Sequence, residues 1–461
     1  MGLAQKLLVE ALGTGLLCFT VGCAAARTDY AALAIGSTLM CAIYAGGHIS
    51  GANYNPAVSL CLVVRGALSV VDFVLYVLFQ LAGAVGGGIL AKLVLAAAGG
   101  KFGYPAAAST SSLTPALTAE IVLTFALCHT VLHVATVAPA KDRSYYGLAI
   151  GFVVVSGAIS VGSVSGGAFN PAVGVLNVLA NYDLGTMPTM NLLDKQAALL
   201  YTAGPLGGAM LAGLLFRVTH PMEFGTVNNP GYSAMVIEFI GTFLLCFTVA
   251  TAVAGGSDLA PISIGSILMT QVYAGAATSG ANYNPAVTFA LFAFSILKGS
   301  NDMPLSKAFG YVVAQLAGSA TAFYTAGLIT PTPGFPSSAV PLLWTVGLEA
   351  IGTFFLVFTI LQVRRLFDDF GELGRMSRPM SRPMSRSMLP MLIALPIAIS
   401  LSLGRSPPPR TAATTSSASQ SGLWSSRWPS RSEDSPAAPS TRPLVSSRSL
   451  PPPRFRPSSP L

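Results

Sequence analysis

Three asparagines recur in nearly the same nine letters. "SGANYNPAV" stands at Ser50–Val58 and again, letter for letter, at Ser279–Val287, and "SGGAFNPAV" stands at Ser165–Val173. Each stretch holds an Asn-Pro-Ala box: Asn55-Pro56-Ala57, Asn170-Pro171-Ala172 and Asn284-Pro285-Ala286. Proline at the first helical position loses no hydrogen bond, and its fixed φ suits the helix. The asparagine before it can cap the free N–H groups. The next residues, "AVSLCLVV" or "AVGVLNVLA", run apolar for about two turns, which is too short to span a bilayer. Each box therefore predicts a half-helix that dips into the membrane, which lipid tolerates only where the backbone is buried in protein or lines a cavity. Two such half-helices, facing N-terminus to N-terminus, would present about +0.5 elementary charge each. They would repel cations, and the Asn55 and Asn170 amides would offer hydrogen bonds to a passing neutral molecule. Nothing nearby supplies a nucleophile, a metal-ligand set or an acid–base pair. The reading is a channel, with no catalytic residue, no metal and no cofactor, and not an enzyme.

The bulk composition agrees. Of 461 residues, 52% are hydrophobic and 9% charged, and the mean hydropathy is +0.65. Soluble domains carry about 25% charged residues. The net charge of +8 is concentrated at one end: past Leu403 there are eight arginines and two acids, or +6. A neutral apolar body with a basic end argues for a lipid bilayer as the partner and against nucleic acid. The six cysteines lie in apolar stretches without metal-ligand spacing and read as small core residues. No cleavable signal is expected, because the first apolar stretch carries Glu10 and is long enough to span.

Apolar segments of spanning length cover 7–26, 30–46, 70–98, 115–138, 146–163, 197–216, 232–254, 260–276, 308–329 and 341–363, with a weaker one at 388–403. They repeat. "EALGTGLLCFTVGCA" at Glu10 matches "EFIGTFLLCFTVATA" at Glu238, "EIVLTF" at Glu120 echoes both, and "EAIGTFFLVF" begins at Glu349. The module is a Glu-bearing span, a second span, an NPA segment and a third span. It starts four times, and the fourth copy lacks its box. Three spans per module invert each successive copy, which places the working site near the midplane between copies. This threading puts Arg65, Lys141, Arg143, Arg217, Arg364 and Arg365 on one side, the cytoplasmic one, with the N-terminus and the basic tail. Arg27 and Lys101 fall on the other side.

The boxes, the Glu of each opening span, "GHISGANYNPAV" with His48, and Gln80 together resemble the major intrinsic protein family, the aquaporins and aquaglyceroporins. The resemblance covers 1–220 completely and 232–363 as a partial second copy. It implies an all-α membrane protein: an inverted repeat of six transmembrane helices plus two re-entrant half-helices, followed by the partial copy. It also implies a passive channel for water or small neutral solutes and a homo-oligomer, with barrels arranged as in a tetramer or as a dimer of tandem chains. By register, the family's constriction falls at Ile35, Ala158, Gly167 and Val173. Water-selective members place an aromatic, a histidine and an arginine there, and this chain has none of them. Losing the arginine widens the aperture and removes a fixed cation and a donor. This favours glycerol, urea, ammonia or hydrogen peroxide without excluding water. A second reading of Val173 is relaxed function in a drifting copy.

The resemblance further implies that Glu10 and Glu120 hold backbone groups of the box-bearing loops, with Glu238 and Glu349 in the matching places. A mid-membrane carboxylate costs about 2.5–3.5 kcal/mol on insertion scales and so needs partners. Gly83, Gly87, Gly204, Gly207 and Gly208 suit close helix contact. His48 reads either as lining the inner mouth or as a loop hydrogen-bonder. His129 and His133, four apart on one helix face, read as packing or pairing, because no third ligand is apparent.

Past Arg365 the pattern fails. A low-complexity basic loop (364–387) leads to the weak span at 388–403, and 404–461 is rich in Ser, Pro and Arg, which cannot bury a core. The abrupt end of the homology is what a shifted reading frame near 400 would leave. Residues 221–231 read as the linker between the two copies. Two rival functions remain: a non-conducting assembly protein, favoured by the missing arginine and the broken second copy, and an inverted-repeat secondary transporter, for which only the glutamates could bind ions.

Overall fold

The computed structural model describes residues 1–108, 113–137, 144–181, 192–225, 230–334 and 341–376, which hold helices and turns with no strand among them. The helices follow one plan. α1 (Leu3–Ala24) and α2 (Ala31–Ser50) are long, α3 (Pro56–Arg65) is short and α4 (Val70–Ala97) is long. The plan returns with α5 (Thr114–Val131), α6 (Tyr146–Ser165), short α7 (Pro171–Ala180) and α8 (Leu192–Thr219). A π turn, Leu132–Thr136, extends α5. It returns again with α9 (Pro230–Ala254), α10 (Ala260–Gly275), short α11 (Pro285–Leu297) and α12 (Leu305–Gly327). α13 (Leu342–Met376) opens a fourth round. Below, α1–α8 are the first repeat and α9–α13 the second. The weak span at 388–403 and the tail lie outside the described residues.

Eight of the described helices are long and apolar enough to cross a membrane. α10 and α12, both expected to span, fall outside that set. α10 stops at Gly275, whereas its counterpart α2 continues to Ser50. α12 is diluted by hydroxyls, two of which (Thr321 and Thr325) turn back onto backbone carbonyls of their own helix at 2.8 Å. Outward faces are apolar: Leu8, Leu12 and Leu16 form a ridge on α1, each at least half exposed. That is the surface a lipid solvent requires.

Small residues bring the helices together. A Cβ on Gly83 or Gly87 of α4 would run into the carbonyls of Ala11 and Gly15 on α1, and one on Gly208 of α8 into that of Ile121 on α5. Gly204 lies against the Glu120 side chain, but Gly207 has only Ile121 at 3.8 Å and is not needed for contact. One apolar core runs through both repeats, from Leu17 to Ile329. α6 meets α2 on one side and α10 on the other, where Tyr145 stacks on Tyr273 with centroids 4.0 Å apart. Cys18, Cys61 and Cys128 are buried, as small core residues should be, but Cys41 is exposed on the outer face of α2.

Candidate functional site

Each NPA loop hangs from a glutamate. Glu10 of α1 accepts hydrogen bonds from Ser50 Oγ (2.6 Å), Asn53 N (3.0 Å), Tyr54 N (2.8 Å) and Gln80 Nε2 (2.8 Å). Glu120 of α5 accepts from Ser165 Oγ (2.8 Å), Ala168 N (3.0 Å) and Phe169 N (2.7 Å). Glu238 of α9 accepts from Ser279 Oγ (2.6 Å), Asn282 N (2.9 Å), Tyr283 N (2.7 Å) and Gln315 Nε2 (2.9 Å). All three carboxylates are fully buried. A buried carboxylate is tolerable only with such a donor set, and the loop's N–H groups are satisfied in return. Glu349 differs: it lies exposed on α13, with no NPA loop beside it among the described residues. His48 is exposed at the end of α2.

A tyrosine from the third span of each module pins the serine from behind. Tyr76, Tyr201 and Tyr311 donate to the carbonyls of Ser50, Ser165 and Ser279 at 2.7, 2.6 and 2.6 Å. These tyrosines carry no local signal, and they stand at unequal distances, 26, 36 and 32 residues after the serines they hold.

So held, the loops adopt costly backbone. Tyr54 and Phe169, just ahead of the boxes, both have φ +51°, a left-handed conformation that bulky residues avoid. The turn aims each carbonyl across the molecule. Asn170 Nδ2 donates to Tyr54 O and Asn55 Nδ2 donates to Phe169 O, both at 2.9 Å. Each Oδ1 meanwhile caps its own half-helix, accepting from Ala57 N at 2.8 Å and Ala172 N at 2.9 Å. α3 and α7 thus meet N-terminus to N-terminus. Each amide nitrogen has two hydrogens and makes one bond, which leaves one N–H for a third party. At the far ends, Lys92 Nζ closes α7 through Leu179 O at 2.6 Å, and Gly66, left-handed at φ +82°, closes α3.

Of the four register positions, Ile35 lies on α2, Ala158 on α6, Gly167 in the loop before α7 and Val173 on α7. A Cβ on Gly167 would stand 3.3 Å from Ala158 Cα, so these two adjoin. Ile35 packs half-buried on α2, and Val173, one turn into α7, is buried. A loop after α4 presses on the same place. Pro105 and Ala106 occupy the space a Cβ on Gly166 would need, and Asn177 of α7 donates to Pro105 O at 2.9 Å. That loop carries no motif and was not expected to reach here.

Comparison with known proteins fits this geometry. The family model for the major intrinsic proteins matches residues 1–216 and again 226–369. The chain belongs to the major intrinsic protein family. It is 31% identical over 188 residues to the probable aquaporin TIP2-2 of Oryza sativa subsp. japonica, covering 40% of this chain and 69% of that one. It is 31% identical over 225 residues to aquaporin NIP1-1 of Zea mays, covering 46% and 74%. The X-ray structure of the aquaglyceroporin from Plasmodium falciparum aligns at 21% identity and a TM-score of 0.44, over 49% of this chain and 100% of that one. A major intrinsic protein is an integral, multi-pass membrane channel for water or small solutes and not an enzyme. Two matches to the family model fit a tandem arrangement.

This major intrinsic protein also contains a polar cluster away from the crossing. His129 and His133 lie ring to ring at 4.1 Å, and His220, just past α8, joins His133 at 4.8 Å. The third imidazole was missed because it sits 87 residues downstream, just past α8 and next to the linker. Arg65, the last residue of α3, bonds Glu223 at 2.7 Å and the Thr136 hydroxyl at 3.1 Å, and its guanidinium lies 5.3 Å over Phe216. No group of three or more His, Cys, Asp or Glu among the described residues is arranged to hold a metal ion.

Proposed function

We propose that residues 1–220 form the conducting unit of a passive channel, with Asn55 and Asn170 as its central donors. One observation supports this above the rest: the reciprocal tie of the two amides, with each Oδ1 turned to its own half-helix. That arrangement fixes two donors and two helix N-termini at one level, which suits a neutral hydrogen-bonding solute and repels a cation. The constriction at Ile35, Ala158, Gly167 and Val173 has no charged or aromatic side chain. We read it as wide and apolar, passing solutes of the glycerol, urea, ammonia and hydrogen peroxide class as well as water.

The second repeat (232–363) we read as a non-conducting partner. Asn284 caps α11 through Ala286 N at 2.8 Å, yet no second box stands opposite it among the described residues, and Pro285 and Ala286 are exposed.

The test is stopped-flow light scattering on proteoliposomes holding the full chain, with water and glycerol gradients in parallel. Fast entry of both supports the wide constriction. Fast water with glycerol at the empty-liposome rate refutes the constriction and keeps the channel. Neither flux above empty liposomes, with inserted and folded protein, refutes the conducting role and leaves assembly.

A further inference from the structure

The two repeats are close copies in α2 and α10, related by 229 residues (Ser50 to Ser279). Three of their differences bear on how the copies meet. Ala34, Ala42 and Ile49 of the first copy become Ser263, Gln271 and Thr278 in the second. These three meet the first repeat, whereas a fourth, Thr270 in place of Cys41, turns back to the Ile267 carbonyl of its own helix. Ser263 Oγ donates to Ser156 O at 2.8 Å, and Ser156 Oγ donates back to Ser263 O at 2.9 Å. Gln271 Nε2 donates to Thr130 Oγ1 at 3.4 Å. Thr278 Oγ1 stands 3.4 Å from His220 Nε2. α10 is therefore built to dock on α5, α6 and the end of α8.

The seam so formed encloses the imidazole cluster, and the cluster is underbonded. His133 Nδ1 donates to His129 O at 2.8 Å, so its Nε2 is a bare acceptor, and it has no partner. The ring nitrogens of His129 are also buried, and the amide of Gln271 is the side chain that faces them. Such groups are costly where they lie, and the one carboxylate that faces the cluster, Glu223, is already paired with Arg65. His220 is faced by Glu223 from the turn after α8, by Arg65 from α3 and by His133 and His129 from α5. From the second repeat the uncharged Thr278, just past α10, faces it, and the uncharged Gln271 of α10 faces His129.

We propose that this seam is a proton-operated joint between the repeats: protonation of the His129–His133–His220 cluster parts α10 from α5 and α8 and frees the anchor of α3. The link to α3 is direct. Arg65 ends that half-helix and is held by Glu223 and Thr136 inside the same cluster. Loosening it slackens the half-helix that positions Asn55. This rests on the reading of residues 1–220 as the conducting unit and names its regulation. Acid lowers flux.

The sign follows from linkage. Burial first of all pushes His220 down from 6.5 to about 4; Glu223 pulls it up against this, and Arg65 adds a smaller push down. The docked state therefore keeps His220 neutral, and a parted seam returns it to about 6.5. Docking is unaffected above that value and weakens as pH falls from about 6.5 toward 4. At pH 5 this one histidine favours the parted state by about 30-fold over its balance at pH 7.5.

The experiment uses the full chain in proteoliposomes, with pH equal on both sides. Water flux is measured from pH 7.5 to 5, for the wild type and for His133→Gln/His220→Gln, which removes the two imidazoles nearest Arg65 and Glu223 and leaves only His129 of the cluster. Amide hydrogen exchange of 260–275, corrected for intrinsic rates, reads the seam without reference to flux. The expected result is a wild-type flux that falls several-fold below pH 6.5, with faster exchange in α10, while the double variant holds both constant. A wild type whose α10 exchange is flat from pH 7.5 to 5 overturns the joint, and so does a double variant that responds like the wild type. Absent flux at every pH with a pH-dependent seam overturns the conducting role and retains the joint.

Discussion

Glu10 and Glu238 do the same work in two settings with different outcomes. Each takes a serine hydroxyl, two loop N–H groups and a glutamine amide, and corresponding bonds differ by no more than 0.1 Å. The residues ahead of the boxes, Tyr54 and Tyr283, share φ +51°. Yet Asn55 reaches across to Phe169 O, while Asn284 caps its half-helix and crosses to no residue. Ala57 is fully buried, and Ala286 is exposed. The clamp is made within one module and forms wherever a module is whole. The crossing is made between two inverted modules, and the described residues of the second repeat hold only one box-bearing module. Backbone strain in the loop is thus supported locally and does not depend on a finished channel.

The sharpest way to break this comparison is to spoil the clamp in each repeat. Glu10→Gln places an NH2 among donors and leaves a buried loop N–H or hydroxyl unmet, at a cost of about 1–3 kcal/mol for each orphaned group. Glu120→Gln does the same to the opposite loop. Either change should lower water flux by about tenfold or more, since 1.4 kcal/mol at the crossing is already a factor of ten. Glu238→Gln should lower thermal stability comparably and leave flux within about twofold of wild type. Stopped-flow flux and thermal unfolding, measured on the same preparations, decide it. Flux silenced by Glu238→Gln would mean that the second repeat conducts or controls conduction.

A smaller effect separates cap from crossing. Asn55→Ala and Asn170→Ala each remove both, costing about 1 kcal/mol for the cap and about 1 kcal/mol for the cross-tie. Flux should fall about five- to tenfold at a loss of about 2 kcal/mol in stability. Asn284→Ala removes a cap alone, so it should cost about 1 kcal/mol with no change in flux. Equal losses from all three would show that the cross-tie contributes nothing.

What was readable in the chain follows the same division. The half-helices, their asparagine caps and the glutamates could be seen because each signal is short and recurs in step with the module. The crossing needed only the inverted threading added to it. The tyrosines behind Ser50, Ser165 and Ser279 and the Lys92 cap were not legible, because each joins positions 26 to 87 residues apart without a local pattern. The seam was least legible. Gln271 and Thr130 are separated by 141 residues, and His220 stands next to polar linker letters that read as surface. The trace of the seam in the sequence is that Ala34, Ala42 and Ile49 became Ser263, Gln271 and Thr278 in the second copy. Sequence similarity draws attention to what two repeats share, whereas the interface between them lies in what they do not.

The smallest predicted effect concerns Gly167. Its place in the loop matches Ala52, and the two have φ +65° and +51°. The first loop already tolerates an alanine in this left-handed conformation, so Gly167→Ala is feasible at a backbone cost of about 1–2 kcal/mol. The added methyl would stand 3.3 Å from Ala158 Cα and 3.4 Å from the Phe169 ring. If this edge bounds the aperture, the methyl obstructs a three-carbon polyol more than it does water. Glycerol entry should fall two- to threefold while water flux stays within about a third of wild type, an energy difference of about half a kcal/mol. Ala52→Gly, in the loop on the other side, relaxes the same conformation away from the register positions and should leave the glycerol-to-water ratio unchanged. A parallel fall of both fluxes in Gly167→Ala would report a loosened loop, and no change in either would place the solute path away from Ala158 and Gly167.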